Sequence, residues 1–132
     1  MNKVAVLGSG SWGTALAKVL AEKGDDTHLW TRRPELAVAI NTTHVNEKYL
    51  PGARLPDTLH ATTDMKAALE GASMVVFVAP SHATREVAKM AAPFIPENAS
   101  IVSATKGIEN ETLNFIDEIL EQELPAHAKK HL

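Results

Sequence analysis

Short apolar runs alternate with amphipathic segments along most of this chain. Val4–Leu7 and Met74–Val78 are continuous apolar runs, which are typical of strands buried on both faces of a parallel sheet. Less hydrophobic segments predict three more strands, at Thr27–Thr31, at Leu59–Thr62 on an edge of the sheet, and at Ser100–Ala104. The pattern therefore predicts a sheet of five strands with helices between them.

The segment after the first strand predicts a helix that begins near Trp12 and stops near Gly24. Its apolar positions recur at helical spacing, which predicts a face that packs on the sheet. The residues of that predicted face are Trp12, Ala15, Leu16, Val19 and Leu20. Strand, helix and second strand together span about 30 residues, which is the size of one crossover unit.

Five further helices follow from apolar spacing and from their first and last residues. They are a helix from Pro34 through Ile40, a short helix and then loop within residues 41–56, a helix from Met65 to Glu70 capped by Asp64, a helix after Pro80 with Val87, Met90 and Ala91 on one side, and a helix with Leu113, Ile116, Ile119, Leu120 and Leu124 that ends at Pro125. Strands that alternate with helices predict an α/β fold, a Rossmann-type doubly wound parallel sheet in three layers of helix, sheet and helix.

Composition narrows the classes of partner. The chain has 132 residues, of which 45% are apolar, so we expect one domain over residues 1–132. A net charge of -3 gives no broad basic surface for nucleic acid or an anionic membrane. The absence of cysteine excludes disulfides, and no apolar stretch has the length of a signal peptide or membrane span. We therefore expect a cytoplasmic protein that is not inserted in a membrane. Separately, the spacing of the histidines matches no metal-ligand pattern, so no metal site is predicted.

A glycine-rich motif, Gly8-Ser9-Gly10-Ser11-Trp12-Gly13, follows the first strand directly and opens the first helix. This is the context that a dinucleotide-binding G-x-G-x-x-G motif requires. In such a turn we expect Gly8 to permit the tight bend, Gly10 to let a pyrophosphate approach the backbone, and Gly13 to let the helix pack closely. The amides of Ser11 and Trp12 then face the phosphates. The alternative is a glycine-rich turn that binds nothing.

The residues after the second strand bear on the choice between NAD and NADP. An NAD-selective site normally has a carboxylate at this end of the second strand. Here Asp25 and Asp26 precede the strand, whereas Arg32 and Arg33 follow it. Two guanidinium groups suit a 2'-phosphate, so NADP is favoured over NAD as the cofactor. The alternative for this pair is a solvated basic loop.

Two further loops are expected at the same edge of the sheet, because doubly wound sheets bind ligands beyond the carboxyl ends of their strands. Pro80 follows the fourth strand and Lys106 follows the fifth. Lys106 is the cation expected to meet the cofactor or a polar group of the substrate, and its alternative is a surface lysine. His82 could act as an acid or base, but a histidine in the first turn of a helix is more often structural or solvated.

The sequence resembles the bacterial-type NAD(P)-dependent glycerol-3-phosphate dehydrogenases in five ordered motifs. These are Gly8-Ser9-Gly10-Ser11-Trp12-Gly13-Thr14-Ala15-Leu16-Ala17, Leu29-Trp30-Thr31-Arg32-Arg33, Asn46-Glu47-Lys48-Tyr49-Leu50-Pro51 with Leu55-Pro56, Val78-Ala79-Pro80-Ser81, and Ser103-Ala104-Thr105-Lys106-Gly107-Ile108-Glu109. The resemblance implies the reversible reduction of dihydroxyacetone phosphate to sn-glycerol 3-phosphate for phospholipid synthesis. It also implies that this chain is the N-terminal NAD(P)-binding domain of a longer enzyme.

The resemblance assigns roles to individual residues. Cofactor contacts fall on Ser11, Trp12, Arg32, Arg33 and Tyr49. The family's lysine that is shared between cofactor and substrate falls on Lys106. A sixth strand and a helical C-terminal domain with the general-acid lysine are expected beyond Leu132. No catalytic residue is therefore expected in this chain, which should bind the cofactor without turnover.

The sequence also allows two other hypotheses for the function. The chain could be a stand-alone nucleotide-binding or sensing module, or it could belong to a dehydrogenase of another small hydroxy acid, because related enzymes share the glycine turn. We also expect a homo-oligomer, since Leu113, Ile116 and Leu120 would leave an apolar face exposed on the last helix.

Overall fold

Five parallel strands form one sheet in this computed structural model, which describes residues 2–104 and 116–125. In chain order the strands are β1 (Lys3–Leu7), β2 (Asp26–Trp30), β3 (His60–Thr62), β4 (Met74–Phe77) and β5 (Ser100–Ser103). Their order across the sheet is β3-β2-β1-β4-β5. The chain thus runs outward from β1 to β3 and then crosses to the other side of β1. The predicted α/β fold and the edge position of β3 are confirmed.

The helices are α1 (Ser11–Lys23), α2 (Pro34–Thr43), α3 (Met65–Leu69), α4 (Thr84–Ala91) and α5 (Ile116–Glu123), with single 3-10 turns at Ser81–Ala83 and Ala92–Phe94. Two of the predicted helix boundaries, at Gly24 and at Asp64, are confirmed. Gly24 closes α1 in the left-handed conformation, at φ 110°. The Asp64 side chain accepts a hydrogen bond from the Ala67 amide and so caps α3. Among the described residues, no helix is both long and apolar enough to cross a bilayer.

The separate short helix expected within residues 41–56 is absent. Instead α2 continues to Thr43, where His44 ends it in the left-handed conformation. The chain then turns, and a single antiparallel bridge joins Asn46 to Leu50. The prediction was wrong because Ile40 and the residues that follow extend α2, whereas the apolar residues further on belong to turns.

Alternate residues of the three inner strands, β1, β2 and β4, point into two separate cores. Val4 and Val6 of β1 pack with α1 and α2 on one face of the sheet. Ala5 and Leu7 pack with α3, α4 and α5 on the other face. The continuous apolar run Val4–Leu7 predicted a strand buried on both faces, and this prediction is confirmed. The result is three layers with the sheet in the middle.

The buried face of α1 differs from the predicted one. The buried residues are Gly13, Thr14, Ala17 and Ala21. Trp12 and Val19, by contrast, are 61% and 60% exposed. The helix lies so close to β1 that only small side chains fit beneath it, which overrides the preference for burying large apolar residues. Leu16 and Leu20 of the predicted face are partly buried against this core, so helical spacing was right for these two residues and wrong for Trp12 and Val19.

Two predicted apolar positions on the later helices also need correction. On α4 Val87 and Ala91 are buried, but Met90 is 40% exposed, because the buried stripe passes through Ala88 instead. On α5 Leu120 is fully buried in the core with α4, so it is not part of an exposed face for association. Leu113 lies outside the described residues, and the homo-oligomer stays a prediction.

His28 on β2 is a partly buried histidine whose environment disfavours its charged form. Burial, and then the nearby Lys3 ammonium, lower the pKa of this imidazole below its ordinary value. The neighbouring Asp26 carboxylate, 3.0 Å from Nε2, opposes that shift. The His60 ring, with its centroid 5.4 Å away, also contributes to lowering the pKa.

We predict that this histidine makes the fold less stable in mild acid. Below the ordinary pKa of 6.5 the unfolded chain binds a proton at His28 more readily than the folded chain does. The free energy of unfolding therefore falls as the pH falls from 6.5 towards the lowered folded-state pKa. Urea unfolding at pH 7.5 and 5.5 should show a smaller loss of stability for His28→Gln than for the unmodified chain. The same substitution at the exposed His82 is the control, and equal losses in all three proteins would contradict the prediction.

Candidate functional site

A cleft of about 340 Å³ opens at the carboxyl ends of β1, β2 and β4. The strands after β1 are added first on one side of it and then on the other, so the strand order reverses at this point. Doubly wound folds bind their ligands where the strand order reverses. The residues that line it are Gly8, Ser9, Gly10, Trp30, Thr31, Arg32, Arg33, Tyr49, Ala79, Pro80, His82, Ala83, Glu86 and Val87. The glycine turn forms its floor at β1, and the loops after β2 and β4 form its sides.

Two glycines of the turn are required by the protein's own packing. Gly8 has φ 141°, which side chains rarely adopt, and a Cβ there would lie 2.9 Å from the Ala79 nitrogen. A Cβ at Gly13 would lie 2.0 Å from the Gly8 carbonyl oxygen and 2.8 Å from Cγ2 of Val78. The turn and the start of α1 are therefore in direct backbone contact, as expected for these two positions.

Gly10 differs from its two neighbours in the motif. Its φ of -68° suits any residue, and a Cβ placed there would meet no atom within 4 Å. No side chain caps α1 at this residue, and the first turn of the helix carries no acidic residue. The bare backbone of Gly10 and the uncapped helix terminus thus border the cleft together. This arrangement suits an anionic group that comes close to the main chain.

Asn46 fixes the turn from a distant part of the sequence. Its side chain is fully buried. Nδ2 donates to the Ser9 carbonyl oxygen at 3.0 Å and to Oγ1 of Thr14 at 2.8 Å, and Oδ1 accepts from the Tyr49 amide at 3.3 Å. The Thr14 hydroxyl donates in turn to the Ser9 carbonyl at 3.1 Å. Sequence reasoning gave Asn46 no role, and its place in the Asn46–Pro51 motif was the one signal that could have found it.

A second hydrogen-bond chain joins the turn to the loop after β2. The Ser9 hydroxyl donates to Oγ1 of Thr31 at 2.8 Å. The same oxygen accepts from the backbone amide of Arg33 at 3.3 Å. The turn and the arginine loop are thereby held in one arrangement. Neither Ser9 nor Thr31 was singled out from the sequence.

The predicted site residues divide into three groups. Those that line the cleft are Gly8, Gly10, Arg32, Arg33, Tyr49 and Pro80. Those that do not are Ser11, whose hydroxyl donates to the Tyr49 carbonyl oxygen, Trp12, which is exposed, and Gly13, which packs beneath the turn. Lys106 lies outside the described residues, so its predicted contact stays a prediction.

The two arginines have different surroundings. Nη1 of Arg32 lies 3.6 Å from Oε2 of Glu86, a residue of α4 to which the sequence pattern assigned no role. Arg33 is exposed, and among the described residues no ion pair to its guanidinium group is found. His82, for which a structural or solvated role was the favoured prediction, lies exposed at the rim of the cleft.

Comparison with known proteins places the chain beside one kind of dehydrogenase. A family profile described as the NAD-dependent glycerol-3-phosphate dehydrogenase N-terminus matches residues 3–131. The chain is 50% identical over 120 residues to a glycerol-3-phosphate dehydrogenase [NAD(P)+] from Corynebacterium aurimucosum, covering 91% of this chain and 36% of that protein. It is 45% identical to the protein of the same name from Bacillus velezensis over 132 residues, covering 100% of this chain and 38% of that one.

A solved structure agrees with the sequence comparison. The crystal structure of glycerol-3-phosphate dehydrogenase from Coxiella burnetii superimposes with a TM-score of 0.86 at 39% identity, and the match covers 93% of this chain and 38% of that one. The chain thus spans little more than a third of the length of the relatives that it matches, 36–38%.

We predict that the glycines at 13 and 10 respond differently to the same substitution. Gly13→Ala should lower the free energy of unfolding by about 2–4 kcal/mol, since the Gly8 carbonyl must move to admit the methyl group. Gly10→Ala should change it by less than about 1 kcal/mol, because the new methyl group meets open space. Urea denaturation followed by circular dichroism measures both. Equal losses would show that the turn is not packed as described.

Proposed function

Because this chain belongs to the family of NAD-dependent glycerol-3-phosphate dehydrogenase N-termini, we propose that it is the domain that binds the nicotinamide dinucleotide of such an enzyme. The parent reaction proposed is the reversible reduction of dihydroxyacetone phosphate to sn-glycerol 3-phosphate, in the cytoplasm, for phospholipid synthesis. The observation that supports the cofactor proposal is the open space at Gly10. A side chain at this position would contact no other protein atom, so the packing of the protein does not explain why the residue is glycine. A glycine at this position is explained by a ligand that approaches the main chain.

The residues around the cleft fit such a ligand in a definite way. The backbone of Gly8 and Gly10 lines the cleft. With the amides of Ser11 and Trp12, which follow at the uncapped helix terminus, it would hold the pyrophosphate at the positive end of α1. The hydrogen bonds of Asn46 keep this turn in one conformation without the ligand, which lowers the entropy lost on binding. Tyr49 and Pro80 are proposed as walls of the site.

The arginines after β2 are proposed to contact the adenosine ribose. The three residues directly after β2 are Thr31, Arg32 and Arg33, and none of them is a carboxylate. Guanidinium groups form strong, geometrically matched hydrogen bonds with phosphate oxygens. We therefore propose that NADP is preferred to NAD, although the relatives are named for dependence on NAD(P) without a stated preference.

Catalysis is proposed for a longer protein than this chain. When bound, a nicotinamide cofactor supplies hydride transfer to a carbonyl carbon. Lys106 is proposed to lie between cofactor and substrate, and the general-acid lysine that would protonate the alkoxide is proposed to lie beyond Leu132. The role of residues 1–132 is then to hold and orient the cofactor, and the rest of the protein would hold the substrate phosphate.

Calorimetric titration with NADPH and NADH tests the cofactor proposal. We predict that the chain binds NADPH about tenfold or more tightly than NADH, since at least one charge-assisted bond to the 2'-phosphate is worth that much. Replacing Arg32 and Arg33 together by alanine should remove most of the difference by weakening NADPH alone.

Gly10→Ala serves as the matched control for the arginine variant. Its methyl group would occupy the space at the backbone where the pyrophosphate binds, and this group is common to both cofactors. It should therefore weaken NADPH and NADH by similar factors. Equal affinities for the two cofactors in the unmodified chain would overturn the NADP preference, and no binding of either would overturn the proposal itself.

We predict that the isolated chain catalyses the proposed reaction in neither direction at a measurable rate. The reason is that the residue proposed to protonate the substrate does not belong to residues 1–132. The measurement is the loss of NADPH absorbance with dihydroxyacetone phosphate, ketopantoate and 6-phosphogluconate as substrates in turn. A longer form of the protein should be active on dihydroxyacetone phosphate alone. Turnover by the isolated chain, or activity of the longer form on another substrate, would contradict the proposal.

A further inference from the structure

We infer that Glu86 is a specificity-determining residue of the cofactor site, because its carboxylate competes with the adenosine 2'-phosphate for Arg32. This inference rests on the proposed cofactor binding and deepens it. Glu86 belongs to α4, which follows β4, whereas Arg32 follows β2. Since β1 lies between those two strands, the ion pair joins the two sides of the cleft above the glycine turn.

The position of Glu86 sets it apart from the other carboxylates. Among the described residues that line the cleft it is the one acidic side chain. Its Oε2 lies 3.6 Å from Nη1 of Arg32, and the two side chains are 66% and 48% exposed. Neither group is fixed by burial, so Arg32 is free to leave Glu86 when a stronger anion arrives.

Arg33 gives the contrast within the same loop. Its backbone amide is held by the Thr31 hydroxyl oxygen at 3.3 Å. Its guanidinium group has no ion-pair partner in the part of the chain that the structure describes, whereas Arg32 is engaged by Glu86. The two arginines that look equivalent in the sequence therefore differ in how readily they can bind a phosphate.

The Arg32–Glu86 ion pair should lower the affinity of the site for NADPH but not its affinity for NADH. An exposed ion pair is weak and is easily exchanged, so a phosphate with up to two negative charges can take Arg32 from Glu86. The exchange nevertheless costs part of the binding energy, and the freed carboxylate then repels the phosphate nearby. NADH has no 2'-phosphate and does not require the exchange. Glu86 thus reduces the preference for NADPH and keeps the site open to both cofactors.

Glu86→Gln tests this inference in the complete 132-residue chain. The variant keeps the size of the side chain and removes its charge. Titration at low ionic strength should show NADPH affinity raised about three- to tenfold, as expected for one screened charge near the phosphate, with NADH affinity within about twofold. An unchanged ratio of the two dissociation constants, or an equal change in both, would overturn the inference.

A double-variant cycle shows whether Glu86 acts through Arg32. In an Arg32→Ala background, Glu86→Gln should raise the NADPH to NADH ratio by clearly less than in the unmodified chain, because the competition for Arg32 has been removed and only the direct repulsion of the phosphate remains. An effect of the same size in both backgrounds would overturn the role of Arg32. Glu22→Gln is the matched control, since Glu22 pairs with Lys18 at 3.1 Å on α1 and does not line the cleft. It should alter neither affinity.

The outcomes separate this inference from the proposal on which it rests. Glu86 also lies in the first turn of α4, where a negative charge stabilises a helix. A purely structural role would change the unfolding free energy without changing the ratio of affinities, and this result would overturn the inference alone. Failure of the unmodified chain to bind either cofactor would overturn both.

Discussion

The contact between the start of α1 and the end of β1 is the constraint on which the cleft depends. Gly13 lies so near the Gly8 carbonyl that a Cβ would come within 2.0 Å of its oxygen. Because the helix begins this close to the sheet, small residues such as Thr14 and Ala17 must face the strands. The same closeness brings the uncapped end of the helix to the point where β1 and β4 finish.

A second constraint comes from Asn46, which is distant in sequence and buried against the turn. A buried carboxamide must be hydrogen-bonded to be tolerated, and here its partners include the Ser9 carbonyl and the Thr14 hydroxyl. The turn is thus held by packing on one side and by hydrogen bonds on the other. A backbone held in this way would need little further ordering to bind the proposed ligand at Gly10.

The sequence predicted the location of the cleft better than the partners within it. Gly8, Gly10 and the arginine loop could be placed at one edge of the sheet, because the carboxyl ends of parallel strands share an edge. That Glu86 would face Arg32 could not be foreseen, since they belong to segments separated by two strands and two helices. Their distance depends on how α4 leaves β4, which local sequence does not specify.

What the sequence by itself determined were the features controlled by neighbouring residues. Continuous apolar runs marked β1 and β4, Gly24 and Asp64 marked helix ends, and the glycine motif marked the turn. Only the tertiary structure decided which face of α1 is buried and what Asn46 holds. Strand periodicity and caps act over a few residues, and so they can be read along the chain. The buried face and the buried carboxamide depend instead on how closely remote backbones approach, which is set by the packing of the whole sheet.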